Sequence, residues 1–227
     1  MIERRAFVVG GAAALALAAG AGPARAASEE QEIVELARLA AEGMMADPNF
    51  PSLRRWMARA RGVLVVPSLV KAGFLIGGEG GNGVLLARRA DNSWSYPAFC
   101  TIGAASIGFQ VGIQDSQVMF VIMSDKGLRA MMSDEVKLGA DASLAVGPVG
   151  GGVEGATTTA LNADIYSYAR AKGLFAGVSF EGAVVKSRPS HNTAYYGRGA
   201  TPRAIVIDGR FANPEADGLR RALVVRG

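Results

Sequence analysis

The chain has 227 residues, half of them hydrophobic, with 30 glycines, one cysteine and one histidine. That length holds one domain with an ample core. A lone cysteine excludes an internal disulfide, and a formal net charge of +4 is too small to mark a nucleic-acid binder.

Residues 1–26 read as a cleaved export signal. A short charged start precedes an apolar run from Phe7 to Ala21, a breaker at Pro23 and an A-x-A site at Ala24, Arg25 and Ala26. The run falls short of the roughly 18 to 20 apolar residues that span a bilayer. Arg4 and Arg5, followed by Ala6 and Phe7, are similar to a twin-arginine export motif. Ala27, rather than a cysteine, follows the signal, so the expectation is a periplasmic or envelope protein and not a lipoprotein.

Ser28 and Gln31 form an S-x-x-Q capping box ahead of Ile33, Val34, Ala37, Leu39, Ala40 and Met44, predicting a helix over Glu29 to Ala46. A second, shorter helix is expected with Ser52 as its cap, Leu53, Trp56 and Met57 on its apolar face, and Gly62 as its stop. From Gly62 onward, short apolar runs alternate with glycine-rich or polar turns, among them one at Asp115 and Ser116, which reads as a meander of short strands. A helix with Leu128, Met131 and Met132 inward is expected between Asp125 and Glu135. One added strand is expected at Ile205 to Ile207, with a loosely held tail from Phe211. These elements add up to an α+β fold, in which N-terminal helices cover a mainly antiparallel sheet, closed or nearly closed as a barrel or sandwich.

The stretch GEGGNG at Gly78 to Gly83 matches G-x-G-x-x-G. A dinucleotide site also needs a helix opening directly after the glycines and an acid about twenty residues on. Turn residues Ala90 to Ser93 arrive instead, and residues 98–114 contain no acid. The local reading is a hairpin turning at Asn82 and Gly83.

Five blocks then carry a resemblance: ARGVLVVPSLVKAGFLIGGEGGNGVLLAR from Ala60, WSYPAF from Trp94, IGFQVGIQ from Ile107, GADASLAVGPVG from Gly139 and YSYARAKGLFAGVSFEG from Tyr166. Their order and spacing resemble the SYLF domain, also described as a lipid-binding or yeast actin-binding domain family. The resemblance covers about residues 30–197, so the expected division is a signal over 1–26, the domain over 27–197 and a C-terminal extension over 198–227. Gly151 and Gly152 depart from the family pattern, in which an arginine often follows the GP-x-G block.

The resemblance implies a non-enzymatic domain that binds phosphoinositides or other acidic phospholipids. No cofactor is expected, and no actin contact for an exported bacterial protein. The alternative is an envelope structural or protein-interaction module without lipid affinity. Residues 51–90 hold Arg54, Arg55, Arg59, Arg61, Lys71, Arg88 and Arg89 against Glu79 alone. The candidate lipid-binding residues are Arg54, Arg55, Arg59 and Trp56 on the second helix, with cations for phosphates and an indole for the headgroup boundary. Lys71, just before the glycine-rich stretch, joins them as a cation beside free backbone amides. The competing reading makes the arginines solvated charges and Trp56 a core residue. His191 lacks a nucleophile or G-x-S-x-G elbow and reads as surface or structural, in a loop. Cys100 reads as a small buried hydrophobe, and no metal-ligand spacing is present. Thr157, Thr158 and Thr159 beside Glu154 fit either a ligand loop or a turn.

Overall fold

Pro67 and the glycines that follow it bend a strand rather than end one. In the computed structural model, which describes residues 28–147, 162–171 and 180–225, strand β1 runs Gly62–Ala87 and β2 runs Ala98–Ile122. The two pair antiparallel from Gly62 opposite Ile122 to Leu85 opposite Ala98. Register slips between Val66 and Leu69, where Pro67 has no N–H to contribute, and again between Gly73 and Leu75. The turn expected at Asp115 and Ser116 is therefore corrected, because both lie within β2, opposite Val70 and Leu69. The hairpin closes instead at Ala90 to Ser93. There Asn92 takes φ 63° and the Asp91 carboxylate accepts from the Ser93 amide and hydroxyl at 2.9 and 2.6 Å.

β1 also folds back on itself. The Arg88 amide donates to the Arg61 carbonyl at 2.8 Å, bringing the two ends of the strand together. Further in, a Cβ at Gly83 would lie 2.8 Å from the Val65 carbonyl oxygen, and one at Gly81 only 2.3 Å from that of Ser68. The glycine-rich run is thus where two lengths of one strand meet backbone to backbone.

Among the described residues four shorter strands join β1 and β2 in one sheet: β3 (Glu135–Lys137), β4 (Leu144–Val146), β5 (Ile165–Ala171) and β6 (Val184–Ser187). Their order is β3-β6-β2-β5-β4, with β1 also paired to β2; among these described strands only the β4–β5 pair is parallel. The sheet is mixed and strongly curled like half a barrel. It is open, which corrects the expectation of a closed or nearly closed one. Bends inside the two long strands curl it, and among the described residues β3 and β4 stand at opposite ends of the strand order.

Both faces of the sheet are buried. Val63 and Val65 face helix α1 (Glu29–Ala46), which contributes Ile33, Val34, Ala37 and Met44. Leu64 and Val66 alternate to the opposite core with Phe120, Ile122 and Val185. The Ser28 hydroxyl caps α1 by accepting from the Gln31 amide at 3.2 Å. The reciprocal half of the box does not form, since the Gln31 side chain bonds the Glu215 carbonyl and the Tyr195 hydroxyl. Leu39, expected inward, is 49% exposed.

Helices are only partly N-terminal. α1 and α2 (Pro51–Met57) precede the sheet, α3 (Asp125–Met131) lies within it, and α4 (Pro189–Tyr196), α5 (Pro202–Val206) and α6 (Asp217–Ala222) follow. The strand expected at Ile205 to Ile207 is corrected to α5, capped by Thr201 with Pro202 at the first position. The loosely held tail is corrected too. Leu219 and Leu223 are buried against α1, and the Trp94 indole donates to the Leu223 carbonyl at 3.0 Å.

Asp164 ties α3 to β5. The Ser124 hydroxyl donates to its Oδ1, the Ser143 amide and hydroxyl donate to Oδ2 at 3.0 and 2.8 Å, and Lys126 stands 3.5 Å away. Burial alone would raise this carboxyl, but those donors outweigh it and hold it at about 2, below the ordinary 3.8. A depressed carboxylate stabilises the fold above its unfolded value, and that contribution is lost as pH falls toward the folded one. Asp164→Asn should cost about 1–3 kcal/mol at neutral pH. In urea titrations, the gap to wild type should narrow steadily from pH 5 to about 2.

Candidate functional site

α2 starts at Pro51, whose ring suits the first helical turn. Phe50 takes the capping position and Ser52 sits inside the helix, buried, its hydroxyl 3.0 Å from that of Tyr168. This corrects the expectation of Ser52 as cap. Leu53 and Met57 are fully buried, and Trp56 is half-buried, stacked on Tyr166 at 4.7 Å and 21°. Tyr166 and Tyr168, two apart on β5, share one face and form the shelf under α2. Trp56 thus sits at the core edge, packed on Tyr166 with part of its ring still exposed.

The C-terminal end of α2 is held by Arg88, which the sequence shows only as one of the basic residues over 51–90. The Arg88 guanidinium donates to the carbonyls of Met57 and, at 3.0 Å, Ala60, and lies 4.5 Å over the Trp94 ring. Burial lowers its pKa, while the carbonyl end of the helix favours the cation. Arg61 stands 3.4 Å from Asp125, and Arg89 lies against Gly209. Arg54, Arg55 and Arg59 are exposed, and among the described residues none has a carboxylate within ion-pair distance.

Lys71 stands apart from these three, at the middle of the long hairpin opposite Gln114. Its field acts on Glu79, whose carboxyl is raised by partial burial and pulled back by the lysine. The free amides expected beside it are corrected as well. Gly78 to Gly83 pair with Ala105 to Cys100, and the Gly81 and Gly83 carbonyls accept from the Thr101 hydroxyl and the Cys100 thiol. Asn82 and Gly83 lie within β1 and not at its turn.

The family model described as Ysc84, Las17-binding protein actin regulator, matches residues 103–225. The chain belongs to the Ysc84 family. It is 33% identical to Protein YSC84 of Saccharomyces cerevisiae over 173 residues, which are 75% of this chain and 37% of that protein. LAS seventeen-binding protein 3 of the same yeast is 33% identical over 174 residues, 75% and 38% of the two chains. SH3 domain-containing YSC84-like protein 1 of Homo sapiens is 35% identical over 141 residues, 62% and 41%. The matched stretch is thus less than half the length of these relatives. The Ysc84 match runs through α5 and α6, past residue 197 where the expected domain ended.

The remaining candidates in this Ysc84 domain have structural surroundings. His191 lies buried in α4, not in a loop, with Nδ1 2.9 Å from Glu30 Oε1 but off the line of a hydrogen bond, and Nε2 3.8 Å from Glu29. Its neighbour Asn192 accepts from the Phe99 amide at 2.9 Å, so this turn of α4 joins α1 to β2. Cys100 is buried, which pushes its thiol up to about 12. Among the described residues no group of three or more His, Cys, Asp or Glu side chains gathers to hold a metal ion, and no helix is long and apolar enough to cross a membrane. The export signal over 1–26, the Thr157 to Thr159 triplet with Glu154, and Gly151 and Gly152 lie outside the described residues.

Proposed function

We propose that this Ysc84-family domain is a non-enzymatic module that binds acidic phospholipids, phosphoinositides included, through the α2 face of Arg54, Arg55 and Arg59, and that it does so in the cell envelope after export. The observation that carries the reading is the lack of carboxylate partners for these three exposed guanidiniums among the described residues, on a helix whose other side is fixed in the core. Lys71, apart from α2 at the middle of the long hairpin, is a weaker contributor.

Near an anionic surface each arginine is worth about 1 kcal/mol, so the Arg54/Arg55/Arg59 triple alanine should weaken binding on the order of 100-fold. The chain from Ala27 onward, which keeps every described residue, should co-sediment with cardiolipin or phosphoinositide vesicles at low salt. Failure to do so, with the fold intact by circular dichroism, removes the reading. The family description favours a second one, in which the domain docks a protein partner, as its Las17-binding relative is named for doing. Partner capture that survives high salt, without vesicle affinity, supports that alternative.

A further inference from the structure

The α2 surface contains charge but no wedge. Leu53 and Met57 are fully buried, and the only aromatic residue of the helix, Trp56, lies flat on Tyr166 and is partly buried. Among the described residues the exposed large hydrophobics, Leu36, Leu39, Val70, Val146, Ile207 and Val224, all lie on other segments. Interfacial helices that penetrate a bilayer present Trp, Phe or Leu on the face opposite their cations. α2 has already spent that face on the sheet.

The guanidiniums also lack the surroundings of a headgroup pocket. A site that selects one phosphate ester from another surrounds it with convergent, buried donors. Arg54, Arg55 and Arg59 are all exposed, and among the described residues no hydrogen bond fixes their side chains. Each behaves as a mobile cation near a surface, attracted by the potential of many lipids together.

From this we infer that α2 recognises the charge density of an anionic bilayer, docking at headgroup level without penetrating and without choosing among headgroups. The inference rests on the lipid-binding reading above and names what that site measures. Acyl-chain packing has no place in such a contact, and neither does the fork geometry that distinguishes arginine from lysine.

The test uses the chain from Ala27 with vesicles of phosphatidylglycerol, phosphatidylserine or cardiolipin, matched for surface charge. Affinities should agree within about two-fold, and an Arg54/Arg55/Arg59→Lys triple should bind within the same margin. Binding should collapse as the screening length shrinks from about 10 Å at 0.1 M salt to about 3 Å at 1 M. Trp94 is 1% exposed, so Trp56 is the indole within reach of lipid, and bromine-labelled acyl chains should leave its emission unquenched. Quenching, a ten-fold preference for one headgroup or loss of binding in the lysine triple overturns the inference while leaving lipid binding intact. No binding to any of the three vesicles overturns the inference, and no binding to phosphoinositide vesicles as well overturns the lipid-binding reading with it.

Discussion

Gly81→Ala is expected to destabilise the protein by about 3 kcal/mol or more, the size of effect seen when a methyl group is forced into fixed backbone. The new Cβ would lie 2.3 Å from the Ser68 carbonyl oxygen, 3.1 Å from Val66 Cγ1 and 3.2 Å from the Leu69 Cα. Neither the carbonyl nor the Cα is the free end of a flexible chain. Relief would require separating the two lengths of β1 where Pro67 and the register slip already define the bend. Gly80→Ala is the control, since its Cβ would meet nothing closer than the Ile102 carbonyl at 3.6 Å. It should cost less than about 1 kcal/mol. Denaturant midpoints that fall equally in the two variants would mean the crossing of β1 is not what these glycines serve.

Ending the chain after Phe211 should cost about 5 kcal/mol, much of what a domain of this size has to lose. The deletion removes Leu219 and Leu223, 1% and 0% exposed, at about 1.5–3 kcal/mol for each buried side chain. It also takes the Leu223 carbonyl from the Trp94 indole and the Arg220 guanidinium from the Trp94 carbonyl and the Tyr96 ring. An indole N–H left without its acceptor in a buried site costs about 1–3 kcal/mol more. Thermal melts followed by tryptophan emission report both effects, because Trp94 should shift to the red as it becomes wet. A truncated chain that melts with wild type would show that α6 only rests on α1.

Which parts of this fold can be read from the chain depends on how local their causes are. α1 follows from Ser28 and the spacing of Ile33, Val34, Ala37 and Met44, and its observed bounds are the expected Glu29 and Ala46. The α3 reading succeeds for the same reason, with Leu128 and Met131 buried. β1 and β2 do not read correctly because Gly and Pro are taken as punctuation, whereas here they let two long strands bend without leaving the sheet. Ile205, Val206 and Ile207 have the β-branched look of a strand, yet Thr201 and Pro202 just upstream start a helix that tertiary contact sustains. The arginines of α2 are legible as an exposed basic face. Trp56 is not, since its direction depends on Tyr166, more than a hundred positions on. Nor is Arg88, whose carbonyl partners Met57 and Ala60 lie about one long strand earlier.

Arg88 has a consequence for how α2 meets anything at all. One guanidinium binds the end of the helix and lies on Trp94, and Trp94 in turn bonds the C-terminal segment. A seven-residue helix on its own would fray in water. Clamped at one end by Arg88 and seated along its side on two tyrosines, it has its backbone ordered before any partner arrives. Docking as proposed would then lose only side-chain freedom, about 0.5–1.5 kcal/mol for each arginine that is immobilised, and not the larger entropy of forming a helix at the surface.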